Sequence, residues 1–343
     1  MSTRQIAYVG GAVVIGATGL YYAIRWLQRA VKDIRYPFVP IGTVAELYIY
    51  PVKSCRGQQV EALEVTKLGG RNGDLRDRHF CVYVKSTLVN LDAKQCASLV
   101  VVEPNVQNGI LTLSAPGHKP VSVDIEEVIE RHNVVTVRLF GNVRQAGLDC
   151  GAEVGKWIAN VLGKEDEFGL LCYVDGLYSE RWSRRKYGWL FSWIPRNEKI
   201  AYPYVAPFLG LNSASISDIR SRCGNNKPFN ARYFRGNIVI DGCSAFDEDW
   251  WMELKIGDAV FDCYEPCPRC HVITINPANG VQDPDGQPLR ELRRYRLAPE
   301  GKLRKLFQQK PFFGVFMGVN ECGTIHVGDK VLARYNRKPY QIS

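Results

Sequence analysis

Short runs of β-branched and aromatic residues recur through this chain and are the feature that most constrains its fold. Turn-forming residues separate several of the runs, which is the pattern of short strands. The runs are residues 44–52, 78–84, 110–114, 121–125, 134–140, 170–174, 237–240, 259–263, 313–319 and 330–335. Residues 153–162 instead have apolar side chains at helical spacing, and residues 212–222 form a second predicted helix with Asn212 or Ser213 as its N-cap. The sequence therefore predicts a mixed α+β, β-rich fold around a β-barrel core.

The N-terminus carries a separate apolar segment. Residues 6–24 contain no charged residue, and a helix of this length nearly spans a bilayer core. The segment predicts a single N-terminal transmembrane anchor helix. Basic residues follow it directly, which predicts that the rest of the chain faces the cytosol. A cleavable signal peptide is the alternative, but no clear small-x-small site follows. We expect attachment to the mitochondrial outer membrane, with the endoplasmic reticulum as the alternative.

Length, cysteine count and charge limit the class of protein. The 343 residues are enough for one or two domains. The 11 cysteines are odd in number and scattered, which favours a reducing compartment over a disulfide framework. The net charge of +9 suits an acidic protein partner, an anionic membrane or a phosphate-bearing ligand. The basic residues are dispersed without a recognised motif, so we predict no binding of nucleic acid. No G-x-G-x-x-G follows a predicted strand and no Walker P-loop is present, so no nucleotide site is predicted.

The segment from Cys263 to His271 (CYEPCPRCH) concentrates the soft ligands of the chain. Cys267, Cys270 and His271 satisfy C-x-x-C-H, the attachment pattern of a c-type haem. The spacing of the three cysteines also matches that of a [4Fe–4S] cluster. A third interpretation makes one cysteine the thiolate ligand of a soft metal. In the remaining interpretation the cysteines are small buried apolar residues.

Six ordered segments resemble the MOSC family, and within it the members that reduce amidoximes. The resemblance extends from about residue 42 to about residue 335, and the set as a whole carries it. The segments are YPVKSCRG at 50–57, LRDRHF at 75–80, NARYFRGNIVIDG at 230–242, PCPRC at 266–270, PLRELRRYR at 288–296 and GTIHVGDKV at 323–331. A tryptophan-rich segment at 178–197 has no match in this pattern, and neither has His271.

The resemblance implies a molybdenum cofactor, a pyranopterin dithiolene with a terminal phosphate. Cys270 matches the family's cysteine ligand, so it is the predicted metal ligand and catalytic residue. A thiolate is soft and anionic, as such a metal prefers. Arg forks and a Lys ammonium suit a phosphate, and amide and hydroxyl groups suit the edge of a pterin. The implied cofactor-binding residues are Lys53, Ser54, Arg78, Val205, Ala206, Arg235, Asn237, Pro268, Arg269 and Cys270.

The resemblance also implies an activity and partners. The expected enzyme is a molybdenum-dependent oxidoreductase that reduces N-hydroxylated compounds, such as amidoximes and hydroxylamines, to amidines or amines. Electrons are expected from NADH through cytochrome b5 reductase and cytochrome b5. The alternatives are a membrane-anchored c-type cytochrome and a sulfur-carrier domain for the molybdenum cofactor. The expected domains are a membrane anchor at 1–28, a linker at 29–41, an N-terminal MOSC-associated β-rich domain at 42–177 and a MOSC domain at 178–338.

Overall fold

Short strands make up most of the regular structure. The computed structural model describes residues 32–180, 199–224 and 227–336. The described residues from Pro40 onward belong to one compact unit, and residues 32–35, in the preceding unit, are helical. The strands are β1 Val39–Ile49, β2 Gln58–Val60, β3 Ala62–Thr66, β4 Gly69–Asn72, β5 Leu75–Arg76, β6 Phe80–Val84, β7 Val89–Asn90, β8 Glu103–Gln107, β9 Ile110–Ala115, β10 His118–Asp124, β11 Val134–Phe140, β12 Val143–Asp149, β13 Phe168–Cys172, β14 Phe208–Asn212, β15 Ile238–Asp241, β16 Trp251–Ile256, β17 Ala259–Pro268, β18 Phe312–Glu321, β19 Gly323–His326 and β20 Lys330–Tyr335.

The helices are short, and three of them begin at a side chain that caps the helix. They are α1 Ile125–Arg131, α2 Ala152–Leu162, α3 Ser213–Arg222, α4 Ala231–Phe234, α5 Leu289–Tyr295 and α6 Lys302–Phe307, with 3-10 turns at Ala97–Val101, Asp247–Asp249 and His271–Thr274. Asn212 is the N-cap of α3, and its side chain accepts a hydrogen bond from the Ala214 N–H at 2.9 Å. Asn230 caps α4 in the same way through the Arg232 N–H. These caps satisfy backbone donors that a helix start otherwise leaves without partners.

The largest sheet combines the first strand with strands from the C-terminal half. Its order is β15-β14-β18-β17-β16-β20-β1-β2, and an additional pairing of β1 with β15 connects its two sides. Leu47 of β1 pairs with Ile238 of β15. The polypeptide segment after β1 is thereby held beside β15 and the helix before it. This placement brings segments from both halves of the chain to one end of the sheet.

Three smaller sheets complete the β-structure. Strands β11, β12, β13, β6 and β7 form a closed barrel, while β10, β9 and β8 form a three-stranded sheet. The fourth sheet has the order β19-β3-β4-β5. Alternating or continuous burial along these strands packs their apolar faces into one large core cluster and smaller clusters beside it. The short strand β5 ends directly before Asp77 and Arg78, so this sheet positions the start of a predicted site segment.

The predicted fold class is corrected at its N-terminus. The structure is β-rich and contains barrels, but the fold class also included a single transmembrane anchor helix. Within residues 32–180, 199–224 and 227–336, no helix is long and apolar enough to cross a membrane. Residues 6–24, whose uncharged run produced the prediction, lie outside the described residues, as does most of the tryptophan-rich segment. The prediction rested on the length of an uncharged run and on the basic residues after it, and the glycines of that run make it only moderately apolar.

Candidate functional site

A cavity of about 220 Å³ collects side chains from distant segments of the chain. All of the residues predicted to bind a cofactor line it except Val205. Val205 is partly buried and packs against a core cluster that includes Ala206. The predicted residues on its lining are Lys53, Ser54, Ala206, Arg78, Arg235, Asn237, Pro268, Arg269 and Cys270.

The turn after β1 supplies Lys53 and Ser54. The Lys53 N–H donates to the Phe80 carbonyl at 2.8 Å, which fixes the turn against the start of β6. Ser54 has a φ of 72°, in the left-handed region that non-glycine residues seldom adopt. Its Oγ accepts a hydrogen bond from the Ala93 N–H at 3.0 Å. The backbone of the turn is therefore held from two sides while both side chains face the cavity.

Arg78 and Arg235 also adopt left-handed backbone conformations. Their φ angles are 48° and 56°. The Arg78 N–H donates to the Tyr50 carbonyl at 2.6 Å, and the Arg78 carbonyl accepts from the Tyr202 N–H at 3.0 Å. Arg235 ends α4, and its N–H donates to the Ala231 carbonyl at 3.0 Å. Strained conformations of this kind persist where surrounding contacts enforce them, and they concentrate at functional sites.

A buried carboxylate, Asp77, organises the floor of the cavity. Its Oδ1 accepts hydrogen bonds from the Tyr50 N–H and from Asn237 Nδ2, both at 2.9 Å. Its Oδ2 forms an ion pair with Arg78 Nη1. The Arg78 guanidinium also donates to Asn237 Oδ1 at 3.2 Å and to the Arg235 carbonyl at 3.0 Å. The guanidinium is thus fixed in one orientation by a carboxylate, an amide and a carbonyl.

Asn237 has its side-chain hydrogen bonds satisfied within the protein. Its Nδ2 donates to Asp77 and to the Tyr48 carbonyl, and its Oδ1 accepts from Arg78 and from the Leu209 N–H. The residue is 0% exposed. An amide has two donors and two acceptor sites, so this one has none left for a ligand. Asn237 therefore orients Arg78 and joins two strands rather than contacting a bound molecule through its side chain.

Tyr50 lies between the two guanidinium groups. Arg78 Cζ is 4.8 Å from the centroid of its ring, and Arg235 Cζ is 4.5 Å from it. Burial raises the pKa of Tyr50 to about 12, although both cations oppose the shift. Burial also lowers the pKa of Arg235. Cation–π contacts hold two positive charges close together here, an arrangement that favours an anionic ligand.

Arg269, which also lines the cavity, is held by backbone carbonyls. Its Nε donates to the Phe313 carbonyl and its Nη1 to the Phe234 carbonyl, each at 2.8 Å. Its Nη2 is buried and has no hydrogen-bond partner among the described residues. The same holds for Arg235 Nη2 and for the Tyr50 hydroxyl. A buried polar group without a partner costs about 1–3 kcal/mol. Arg235 and Arg269 both line the cavity, so their two unpartnered Nη2 atoms indicate a ligand that completes their hydrogen bonds.

The three cysteines of the CYEPCPRCH segment have different environments. Cys263 is buried in the main core, and burial raises its pKa well above the usual range. Cys267 is also buried, and burial raises its pKa to about 11. Cys270 follows β17, is partly exposed and lines the cavity. Cys267 also lines the cavity but is buried, so Cys270 is the more accessible of the two to a ligand there.

Two alternative interpretations of this segment lack support in the geometry. Within the described ranges, no group of three or more His, Cys, Asp or Glu side chains is placed to hold a metal ion. A three-cysteine cluster therefore has no counterpart here. The Nε2 of His271 lies 3.2 Å from the Lys94 carbonyl, and Cys267 is buried. Covalent haem attachment needs both thiols of the motif accessible, and Cys267 is 5% exposed.

The charge of the cavity wall is strongly positive. Asp92 is the one acid among the described residues that line it, and its carboxylate accepts a hydrogen bond from the Lys94 N–H at 2.8 Å. The lining cations are Lys53, Arg78, Lys94, Arg235, Arg269 and Lys310. Such a surplus attracts phosphate and other anions.

Sequence reasoning missed Asp77, Tyr50 and Lys94. Asp77 and Tyr50 lie within segments that the family resemblance includes, so their position in those segments was an available signal. No motif pointed to Lys94. Its place on the cavity wall depends on a turn that approaches the site from another part of the chain.

Gly57 provides a test of how firmly Tyr50 is held. A Cβ at this position would lie 2.3 Å from Tyr50 Cε1. Since Arg78 and Arg235 confine the ring, we expect Gly57→Ala to lower the free energy of unfolding by about 1–3 kcal/mol. Urea unfolding of the full chain measures this loss. In a Tyr50→Leu background the same change should cost less, because the ring is gone; an equal cost in both backgrounds contradicts the steric explanation.

Comparison with known proteins gives consistent matches over most of the chain. The MOSC N-terminal beta barrel domain matches residues 41–165, and the MOSC domain matches residues 197–332. The chain is 35% identical over 304 residues to mitochondrial amidoxime reducing component 2 of Bos taurus, covering 89% of this chain and 87% of that protein. It is 35% identical to component 2 of Rattus norvegicus over 321 residues, which are 94% of this chain and 92% of that one. Component 1 of Homo sapiens is 35% identical over 322 residues, with the same coverage.

Proposed function

Since this chain belongs to the MOSC family and, within it, to the amidoxime reducing components, we propose that it is a molybdenum-cofactor oxidoreductase that reduces N-hydroxylated compounds. The substrates are amidoximes and hydroxylamines, and the products are amidines or amines. In each turnover the N–O bond breaks, two electrons and two protons are taken up, and one water is released. The relatives' names identify them as reducing components, which supports assignment to the oxidoreductases.

The residues around the cavity fit a molybdenum cofactor. Its phosphate is an anion, and its pterin presents acceptors and donors at its edge. Arg235 and Arg269 line the cavity, and their Nη2 atoms are buried donors without partners among the described residues. A half-buried cysteine lies on the same cavity. Surplus donors, positive charge and one accessible thiol match the chemistry of phosphate, pterin and a soft metal.

The chain's own residues take distinct roles in this proposal. Cys270 would be the thiolate ligand of the metal, while Lys53, Arg78 and Arg235 would hold the phosphate. Cys267 is buried, and burial raises the pKa of its thiol to about 11, which disfavours its thiolate form.

Arg269, Ser54 and the backbone at Pro268 and Ala206 would bound the pterin, and Asn237 would act through Arg78. When bound, the cofactor supplies the two-electron chemistry at the N–O bond. The protein supplies orientation and excludes competing ligands.

One observation carries the proposal: cations, a left-handed serine and a half-buried cysteine from both halves of the chain converge on one cavity. The test is to express the full chain in a host that makes the cofactor and to measure molybdenum together with benzamidoxime reduction. We expect close to one molybdenum per chain and formation of benzamidine. A protein without molybdenum, or with iron in its place, would contradict the proposal.

We propose cytochrome b5 and its NADH-dependent reductase as the source of electrons. The absence of common nucleotide-binding motifs in the sequence supports a separate NADH-oxidising protein. The net charge of +9 supports an acidic donor. The relatives are named as mitochondrial proteins. We extend that location to this chain and propose the cytosolic side of the outer membrane as the place where it meets the donor.

Turnover with the natural donor should depend on ionic strength more strongly than turnover with a small artificial reductant. Raising salt is expected to slow turnover with cytochrome b5 more strongly, because opposite charges accelerate the encounter of two proteins and salt screens them. Steady-state turnover from low to about 0.5 M salt, measured with both reductants, gives the two dependences. Equal salt dependence would contradict electrostatic attraction of the donor.

A further inference from the structure

A turn at residues 92–95 forms one wall of the cavity and is rigid for a local reason. Asp92 Oδ1 accepts the Lys94 N–H at 2.8 Å, and the Asp92 N–H donates to Gln95 Oε1 at 2.8 Å. The Asp92 carbonyl accepts the N–H groups of Gln95 and Cys96, both at 3.0 Å. Asp92 therefore closes the turn on itself, and the direction in which Lys94 leaves it is fixed.

The same turn is attached to the cofactor-binding segments on both sides. The Ala93 N–H donates to Ser54 Oγ at 3.0 Å. The Lys94 carbonyl lies 3.2 Å from Nε2 of His271, the residue after Cys270. Lys94 is thus held between the predicted phosphate-binding turn and the predicted metal ligand, although no motif position assigns it to either.

The Lys94 side chain extends along an aromatic surface. Its Nζ lies 5.5 Å from the centroid of the Tyr204 ring, and the Phe140 ring lies 5.0 Å from that of Tyr204. Tyr204 is 42% exposed. Within the part of the chain that the structure describes, no acid pairs with the Lys94 ammonium. The carboxylate of the nearby Asp92 is turned toward the backbone of its own turn.

We propose that Lys94 and Tyr204 form a subsite for the distal end of the substrate, selecting N-hydroxylated aryl compounds that carry a carboxylate. The aryl ring would stack on Tyr204, and the carboxylate would pair with the Lys94 ammonium. This inference rests on the proposed function and names a substrate class for it. The cation–π contact keeps the ammonium beside the ring before substrate binds, so one molecule meets both groups without rearrangement.

The proposed subsite should give a preference for a substrate with a carboxylate, and comparing two amidoximes measures that preference. With the full chain loaded with cofactor and a small artificial reductant, kcat/KM for 4-carboxybenzamidoxime should exceed that for benzamidoxime by about three- to tenfold. Lys94→Gln should remove most of this preference, and Lys94→Glu should reverse it. The matched control is Lys164→Gln, which removes one exposed lysine that does not line the cavity and should leave the ratio unchanged.

A binding measurement gives a second readout that does not depend on turnover. Calorimetric titration with the product 4-carboxybenzamidine should give a lower Kd than titration with benzamidine, and Lys94→Gln should narrow the difference. Molybdenum content should be the same in both proteins. A lower molybdenum content in Lys94→Gln would assign the lysine to the cofactor and overturn the proposal.

Other outcomes also decide the question. Equal kcat/KM for the two amidoximes in the unaltered chain would overturn the subsite while leaving the proposed function intact. If the Lys94→Gln variant turns over more slowly with cytochrome b5 but not with the artificial reductant, Lys94 belongs to donor binding. That result would also overturn the subsite. No turnover with either amidoxime would contradict the proposed function itself, and the subsite with it.

Discussion

Replacing Cys270 by alanine is expected to reduce benzamidoxime turnover by more than about a hundredfold and to remove most of the bound molybdenum. Loss of groups that merely support metal ligands already costs 10- to 100-fold, so loss of the ligand itself should cost more. The fold should be retained because Cys270 is partly exposed and makes no core contact. The free energy of unfolding of Cys270→Ala, measured without cofactor, should differ from that of the unaltered chain by less than about 0.5 kcal/mol.

Cys267 provides the matched control three residues away. It lines the same cavity but is buried, so Cys267→Ala should cost about 1 kcal/mol of stability while retaining molybdenum. The two variants should therefore differ in opposite ways: Cys270→Ala loses metal but keeps its stability, and Cys267→Ala loses stability but keeps its metal. Full activity in Cys270→Ala, or loss of metal in Cys267→Ala alone, would contradict the assignment of the ligand.

Removal of the Asp77 carboxylate should produce the largest loss of stability among changes at the site. In Asp77→Ala the Arg78 guanidinium loses its ion pair, and the Tyr50 N–H and Asn237 Nδ2 lose their acceptor. Breaking a buried pair by removing one partner costs about 3–5 kcal/mol, because the other charge is left buried. That loss is a large part of the 5–15 kcal/mol that stabilises an ordinary domain. Urea unfolding of the full chain measures it.

Two variants separate charge from hydrogen bonding at this position. Asp77→Asn retains an acceptor oxygen but no charge, so its loss should be smaller than that of Asp77→Ala. Asp175→Ala breaks an exposed ion pair with Lys199 and should cost less than about 1 kcal/mol. If Asp77→Ala costs no more than Asp175→Ala, the carboxylate does not support the cavity floor.

Strands with strong local patterns were predicted well from the sequence. Residues 134–140 and 330–335 were expected to be strands, and the structure has β11 and β20 with those bounds. Strand β12 was missed because it contains Gln145 and Gly147 at buried positions instead of β-branched residues. The Gln145 side chain is accommodated by a hydrogen bond to the Ile200 carbonyl, a contact that depends on the tertiary structure. Local propensity cannot indicate such a strand.

The candidate site shows a similar division. Motif positions identified four of the lining cations and Cys270, and these side chains line one cavity. The four cations are Lys53, Arg78, Arg235 and Arg269. The sequence did not indicate that the side-chain amide of Asn237 forms hydrogen bonds with Asp77 and Arg78, since Asn237 is far from both in the chain. Lys94 was missed for the same reason. A residue's type is visible in the sequence, but the partners that use its hydrogen bonds are set by the fold.

The pairing of β1 with β15 has a consequence during protein synthesis. Leu47 pairs with Ile238, so the ribosome must add the whole intervening segment before the partner strand exists. At about 5–20 residues per second, the first strand waits roughly 10–40 s. Strand β2 is synthesised early and pairs with Leu47 to Ile49. The residues from Thr43 to Leu47 that will pair with β15 have no partner strand there until later, and an open strand edge can pair with other nascent chains. The lining of the cavity is complete only after Phe316 of β18 has been synthesised, so no ligand can meet the whole site before then.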